Sequence, residues 1–194
     1  MHIDHVIYGV RDLEVVTDRI NADLGLSSVA GGRHDGQGTH NRIVPLGDGS
    51  FLELLAVADA EEASNSAIGA LLMARIEQGD GLIGWAVAVP DLHPIVERLG
   101  TSISVVGRQG RTARLTGVQE SLTKPFLPFF IERKIVRPMN GIRAAARAIR
   151  WIELVGDSEL LSTWLGDATL PVRIVAGPPG VLAVGIGDQE LRTH

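Results

Sequence analysis

The stretch IDHVIYGVRDL at residues 3–13 has a counterpart later in the chain, LIGWAVAVPDL at residues 82–92. Each stretch is rich in apolar residues, as a β-strand is. Its second-to-last residue is an aspartate, Asp12 or Asp91, a residue type that often caps the start of a helix. The two aspartates lie 79 residues apart, and the same separation relates FLE at 51–53 to FIE at 130–132. Two matches at one spacing, in the same order of elements, indicate an internal repeat.

The repeat predicts the architecture of the chain. Residues 2–57 have the pattern β-α-β-β-β, with Gly47-Asp48-Gly49 as a hairpin turn, and residues 82–135 repeat that order. We therefore predict an α+β fold in which paired βαβββ modules form one cupped mixed sheet with helices outside, plus a partial third βαββ unit at the C-terminus. The predicted units are residues 1–60 for the first module, 61–81 for a linking helix, 82–137 for the second module, and 138–194 for the C-terminal unit, packed on the same domain.

The composition limits the function. The chain has 194 residues, 45% of them apolar, which is enough for one large core. A net charge of −5 argues against nucleic-acid binding, which needs clustered Lys and Arg. The sequence contains no cysteine, which excludes disulfides and zinc–thiolate sites, and no apolar run reaches the ~20 residues of a membrane span. We expect a cytoplasmic protein that binds a small molecule, contacts neither nucleic acid nor membrane, and is compatible with a homodimer.

Two polar residues, His5 and Glu53, stand in otherwise apolar strands. Alternation places His5 on one face of its strand with Ile3 and Ile7. Glu53 and its repeat counterpart Glu132 lie in the apolar segments FLELL and FFIER. A buried carboxylate is costly without a partner, so a metal ion, a ligand or water must face it. Each residue alone has a simpler interpretation, a strand histidine with a local hydrogen bond or an exposed strand carboxylate, but the repeat favours a shared site.

The segment GTHNRIV supplies two further candidates, His40 and Arg42. A two-residue turn at Asp48-Gly49 would pair Val44 with Glu53 and place His40 and Arg42 on the face of Glu53. A three-residue turn would shift the register by one residue and send both side chains to the opposite face. In the first case they suit contacts with a substrate at the rim of the cup.

Three segments, IDHVIYGVRDLE, GTHNRIVPLGDGSFLELLAV and GLIGWAVAVPDL, closely resemble the glyoxalase-like domain family. This family belongs to the vicinal-oxygen-chelate superfamily of glyoxalases, bleomycin resistance proteins and extradiol dioxygenases, and the resemblance covers about residues 3–135. In the superfamily, metal ligands come from the first and last strands of each module. The resemblance thus implies ligand positions at His5, Glu53, residue 84 and Glu132, and residue 84 is a glycine without a side-chain donor.

Two functions remain open at the level of sequence. In the first, His5, Glu53 and Glu132 hold Zn, Mn, Ni or Fe in a lyase, isomerase or dioxygenase, with Glu132 or Glu53 as the proton-transfer base. In the second, the chain binds or sequesters a small, oxygen-rich molecule without a metal. Apolar residues would line the cup in either case, and the aromatic ones would contact the substrate: Ile3, Ile7, Phe51, Leu55, Phe130. A third alternative is structural, with side chains or a second subunit filling the cup.

Overall fold

The computed structural model describes residues 1–108, 111–133 and 147–193, without the side chains of residues 48, 107, 108 and 111. The predicted boundary between the second module and the C-terminal unit, at residues 137 and 138, lies outside the described residues.

The repeated order of elements is present in the structure. The first module consists of β1 (His2–Gly9), α1 (Leu13–Leu24), β2 (Val29–His34), β3 (Thr39–Pro45) and β4 (Phe51–Val57). The linking segment contains α2 (Ala60–Ser64) and α3 (Ala67–Glu77). The second module consists of β5 (Gly81–Val89), α4 (His93–Leu99), β6 (Ser104–Arg108), β7 (Arg111–Thr116), α5 (Val118–Thr123) and β8 (Phe129–Glu132). The C-terminal unit consists of β9 (Ile149–Val155), α6 (Ser158–Leu165), β10 (Val172–Ile174), β11 (Gly180–Ile186) and β12 (Gln189–Arg192).

These elements confirm the α+β fold with paired βαβββ modules, and the structure adds detail. The linking segment forms two helices because Asp59 caps α2 and Ser66 caps α3, each accepting a hydrogen bond from a backbone N–H of its own first turn. A short helix, α5, precedes the last strand of the second module. The C-terminal unit gains one strand, β12, beyond the βαββ order predicted for it.

All eight strands of the two modules belong to one curled mixed sheet, with the order β2-β3-β4-β1-β5-β8-β7-β6. The first strands of the modules, β1 and β5, pair antiparallel at its centre. Each has the last strand of its own module as a parallel neighbour, β4 beside β1 and β8 beside β5. A second sheet, β10-β9-β11-β12, repeats this arrangement, because β9 has a parallel and an antiparallel neighbour as β1 does.

The main core lies between the large sheet and its outer helices. Val6, Tyr8 and Trp85 of the central strands are fully buried there, together with Val16 and Ile20 of α1. Burial of such side chains contributes roughly 1.5–3 kcal/mol each to folding. The alternation of β1 therefore sends one set of residues to α1 and leaves the other set on the opposite face of the sheet, which we call the cup face.

The helix α3 covers part of the cup face. Its Leu72 is fully buried against Ile7, Leu55 and Ile83 of the central strands. A methyl group at Gly9 would lie 2.9 Å from Leu72 Cδ1, so the helix approaches the sheet closely there. Thus α1 lies outside the cup as predicted, whereas α3 packs inside it, because its apolar stripe removes this end of the face from water.

Replacing Leu72 by alanine should lower the free energy of unfolding by about 2–5 kcal/mol, because the change leaves a cavity between α3 and the sheet. Urea unfolding followed by circular dichroism measures this. The control is Val15→Ala on α1, where the side chain is 63% exposed, and its effect should stay within about 0.5 kcal/mol. Equal effects of the two changes would contradict the packing of α3 on the cup face.

Candidate functional site

A β-bulge in β1 builds the site. In the pairing of β1 with β5, Ile3 lies opposite Val87 and His5 lies opposite Ala86. Asp4 therefore has no partner residue in β5 and is the extra residue of the bulge. As a result two consecutive polar side chains meet, and His5 Nδ1 lies 2.6 Å from Asp4 Oδ1. The same shift carries Ile3 into the helix-side core, which corrects its predicted place beside His5.

The Asp4 carboxylate is 4% exposed and lies between two donor groups. Arg133 donates from Nε to Asp4 Oδ2 at 2.9 Å and from Nη2 to Oδ1 at 3.3 Å. Burial alone raises the pKa of Asp4, but hydrogen bonds and charge from His5, and then from Arg133, outweigh burial and hold the pKa well below its ordinary value near 3.8. Asp4 is therefore ionised at neutral pH.

The ionised Asp4 determines how His5 presents its ring. A carboxylate accepts hydrogen bonds and donates none, so the hydrogen between the two groups belongs to His5 Nδ1. The other ring nitrogen, Nε2, lies 3.7 Å from Glu53 Oε2. A neutral His5 then offers the lone pair of Nε2 toward Glu53, which is the tautomer that a general base needs.

The Glu53 carboxylate is held on its other oxygen by Asn41. Asn41 Nδ2 donates to Glu53 Oε1, and Asn41 Oδ1 accepts from the Gly32 backbone N–H at 2.9 Å. A methyl group at Gly31 would lie 1.9 Å from Asn41 Oδ1, so the chain passes this amide too closely for any larger residue. The side chains of Asp4, His5, Glu53 and Asn41 thus form one continuous polar row.

Aromatic rings flank this polar row. His5 pairs with Phe51 of β4 and with Ala86 of β5, and Ala86 pairs with Phe129 of β8. The His5 ring stacks on Phe51 with ring centroids 4.4 Å apart and meets Phe129 edge-on at 5.5 Å. Phe51 therefore borders the candidate site, where it was predicted to contact substrate.

Glu132 and Phe130 face away from this site, and their predicted place on the cup face was wrong. The Glu132 carboxylate accepts a hydrogen bond from Arg114 Nη1 at 2.6 Å. The Phe130 ring packs in the helix-side core, 6.3 Å from the ring of Trp164. The cause is a one-residue difference in register. In β8 the residue paired with Ala86, next to His5, is Phe129, so strand alternation turns Phe130 and Glu132 to the other side of the sheet.

His40 and Arg42 also face away from Glu53. The turn at Gly47–Gly49 has three residues, since the backbone on either side of it closes with a hydrogen bond from Leu46 N–H to Ser50 C=O. Of the two registers considered, the structure has the one that sends His40 and Arg42 to the α1 side of the sheet, paired with Ala56 and Leu54. Asn41 takes the place beside Glu53 instead.

The displaced pair lines a cleft of about 600 Å³ beside the first turn of α1, and neither His5 nor Glu53 lines it. Two of its arginines have carboxylate partners, since Arg42 lies 3.4 Å from Glu14 and Arg33 binds Glu62. This cleft is therefore separate from the buried pair of His5 and Glu53. We place the candidate site at the polar row, because its ionisable groups are buried and face one another.

The donor atoms around His5 do not fit a resident metal ion. His5 Nε2 and Glu53 Oε2 are two donors, whereas catalytic zinc sites use three protein ligands. Within residues 1–108, 111–133 and 147–193, no three His, Asp or Glu side chains are arranged to hold a metal. The strand positions opposite His5 and Ile7 are Ala86 and Gly84, which add no donor.

Sequence reasoning missed three polar members of the site, Asp4, Asn41 and Arg133. A signal for Asp4 existed, because two consecutive polar residues in an apolar strand interrupt alternation as a bulge does. Arg133 gave no local signal, since its contact with Asp4 spans 129 residues of the chain.

Replacing Asp4 by asparagine should lower the free energy of unfolding by about 1–3 kcal/mol at pH 7, because the donors of His5 and Arg133 lose a charged acceptor. The folded-state pKa of Asp4 is lowered, so its contribution is complete above the ordinary value near 3.8 and is lost as the pH falls through the folded-state pKa. The stability difference between wild type and variant should therefore be present at about pH 5 and shrink below about pH 4.

Urea unfolding over this pH range measures the difference, with Asp18→Asn at an exposed position of α1 as the control. A difference that stays undiminished well below about pH 4 would contradict the assignment of Asp4 as the buried anion of the site.

Known proteins resemble this chain in sequence pattern and in fold. A family model for the glyoxalase-like domain matches residues 3–169. A hypothetical protein from Staphylococcus aureus superposes with a TM-score of 0.65 at 16% identity, over 93% of this chain and 88% of its own. Methylmalonyl-CoA epimerase from Mycobacterium tuberculosis gives 0.50 at 22% identity, over 68% and 85%. A variant of the Streptomyces coelicolor epimerase, in complex with 2-nitronate-propionyl-CoA, gives 0.52 at 18% identity, over 71% and 97%.

No curated protein gave a significant match. In the part of the chain that the structure describes, no helix has the length and apolar character to cross a membrane. The structural similarities, all at low identity, concern the fold alone. Because the family model covers most of the sequence, the chain belongs to the glyoxalase-like domain family.

Proposed function

We propose that this protein binds a small, oxygen-rich molecule on the cup face and that His5 and Glu53 exchange a proton with it, as in a lyase or an isomerase. The observation that carries the proposal is the buried Asp4–His5 pair, whose Nε2 faces Glu53 Oε2 at 3.7 Å. An imidazole nitrogen with its lone pair and a carboxylate oxygen both accept hydrogen bonds. A ligand hydroxyl, or an acidic C–H group placed between them, supplies the proton that the two share.

The surroundings of the pair suit a small ligand. The helix α3 covers the end of the cup face at Ile7 and Leu55. The end beside His5 is bordered by Phe51 and Phe129, which are partly exposed. An apolar wall with a few convergent polar groups is typical of small-molecule sites.

The proposed chemistry is general acid–base catalysis at a carbon next to a carbonyl group. The C–H bond breaks, its proton passes to His5 Nε2 or Glu53 Oε2, and the electron pair moves onto the carbonyl oxygen. Return of the proton to carbon completes an isomerisation. Asp4 positions His5 and Asn41 positions Glu53, while Glu132, bound to Arg114, has no part in the step.

A metal-dependent lyase, isomerase or dioxygenase has less support, because His5 and Glu53 supply two donors and Glu132 faces the other side. A second candidate is metal-free binding or sequestration without turnover. The low exposure of His5 (6%) and Glu53 (4%) favours it, since a ligand gains only limited access to both groups. An acyl-CoA is not part of the proposal, because the epimerase structures share only the fold at 18–22% identity. The homodimer stays a prediction from sequence.

Proton transfer can be followed as deuterium uptake from D2O into small 2-oxo compounds, with pyruvate, pyruvamide and 2-oxobutyrate as probes and NMR as the readout. Wild type should accelerate exchange in at least one probe. His5→Asn and Glu53→Gln should each reduce that acceleration by roughly 10²-fold or more, because each removes a proton acceptor. The control is His40→Asn, which changes a histidine on the other side of the sheet.

Binding without exchange would overturn the catalytic part and leave the binding candidate. Failure of every probe to perturb the ¹³Cε1 resonance of His5 would contradict both.

Titration with Mn²⁺, Zn²⁺ or Ni²⁺ should give no stoichiometric site that depends on His5, because the donor set holds two protein ligands. Isothermal titration calorimetry on wild type and His5→Asn measures this. One equivalent of metal bound by wild type and lost in the variant would reinstate the metal-dependent function.

A further inference from the structure

We propose that Arg133 anchors a carboxylate group of the ligand, so that the ligand is a small hydroxy or oxo acid. This inference rests on the function proposed above and specifies the chemical class of molecule that the same site takes.

Arg133 stands on the cup face at the end of β8. Its backbone N–H donates to the Val89 C=O at 2.8 Å, so the strand alternation continues through it. Phe129 and Ile131 belong to the cup-face cluster of the second module. Arg133 is the next residue in that alternation and therefore projects to the same side.

Asp4 links the guanidinium of Arg133 to the imidazole of His5. The single oxygen Asp4 Oδ1 lies 2.6 Å from His5 Nδ1 and 3.3 Å from Arg133 Nη2. A ligand of a few carbon atoms is therefore long enough to reach from Arg133 to the reacting end of His5. The side chain of Arg133 is 38% exposed, so it is open to solvent although it is bound to Asp4.

The donors of Arg133 are suited to a second carboxylate. A guanidinium has five N–H groups in one plane. The contacts with Asp4 use Nε and Nη2. Within the described residues, the Nη1 hydrogens take no part in these two contacts and can donate to another acceptor. Arginine binds carboxylates through two parallel hydrogen bonds, and holding the side chain in place beforehand reduces the entropy lost on binding.

The charges of the site give the ligand an orientation. Asp4 and Glu53 are carboxylates, and a ligand carboxylate placed between His5 and Glu53 would be repelled. At Arg133 the same group meets a permanent positive charge. The ligand carboxylate therefore lies at Arg133, and the hydroxyl or carbonyl end of the molecule lies toward His5 Nε2 and Glu53.

The test compares acids with their neutral amides. Lactate and pyruvate should bind wild type about 10- to 100-fold more tightly than lactamide and pyruvamide, the range expected for a charge-assisted pair of hydrogen bonds. Arg133→Gln should abolish that preference. Arg133→Lys, which keeps the charge beside Asp4 and so keeps the fold, should retain part of it, because a single ammonium cannot form both parallel bonds.

The matched control is Arg114→Gln. Arg114 is 37% exposed and paired with a carboxylate, like Arg133, but its partner Glu132 faces the other side of the sheet. Its replacement should leave the preference for acids unchanged. Equal losses for acids and amides in Arg133→Gln and Arg133→Lys would show that Arg133 only positions Asp4 and would overturn the inference.

The two proposals fail in different ways. If wild type binds amides as tightly as acids, the carboxylate anchor is wrong and the function proposed above still stands. If wild type binds neither class, the proposed function fails and the anchor fails with it.

Discussion

The site depends on one extra residue in a central strand. In a regular strand, Asp4 and His5 would point to opposite faces, and an aspartate on the helix side would be buried among apolar residues at a cost of several kcal/mol. The bulge avoids this cost because it brings the carboxylate to the imidazole and to Arg133 of the second module. The same contact fixes the tautomer of His5 and ties the end of β8 to the start of β1. The Asp4–Arg133 ion pair thus both supports the site at His5 and joins the two modules.

The two modules are alike in backbone and unlike in chemistry. Four neighbouring residues pair across the central strands of the sheet: Phe51 and His5 come from the first module, and Ala86 and Phe129 come from the second. The repeat therefore provides a symmetric frame in which the first module supplies Asp4, His5, Glu53 and Asn41, whereas the second supplies small or apolar residues and Arg133. Ala86, opposite His5, is itself buried in the apolar cluster of the second module. The helix α3 breaks the symmetry further, because it covers one end of the face only.

Much of this could be predicted from sequence, and the errors have specific physical causes. The repeat revealed both modules, and alternation from His5 to Ile7 and along β4 was enough to bring His5 and Glu53 together, because the bulge lies on the other side of His5. Glu132 was misplaced because the two modules differ in register by a single residue, and strand periodicity turns a one-residue error into the wrong face. The place of Arg133 depends on a contact between distant parts of the chain, which local patterns do not carry. The packing of α3 inside the cup also depends on tertiary contacts, since an apolar helical stripe does not specify which apolar surface it will cover.

The three-residue turn at Gly47–Gly49 has a consequence for how such proteins diverge. Because β4 is held in place by β1, the length of this turn decides which face of β3 looks toward Glu53. In this chain Asn41 stands there and His40 does not. Loss of one codon in the turn would exchange the two sets of side chains without altering a single residue of the strands. Members of the family can therefore differ in the polar groups they offer to a ligand through loop length alone, and an alignment that places a gap in this turn wrongly will attribute to them the wrong site.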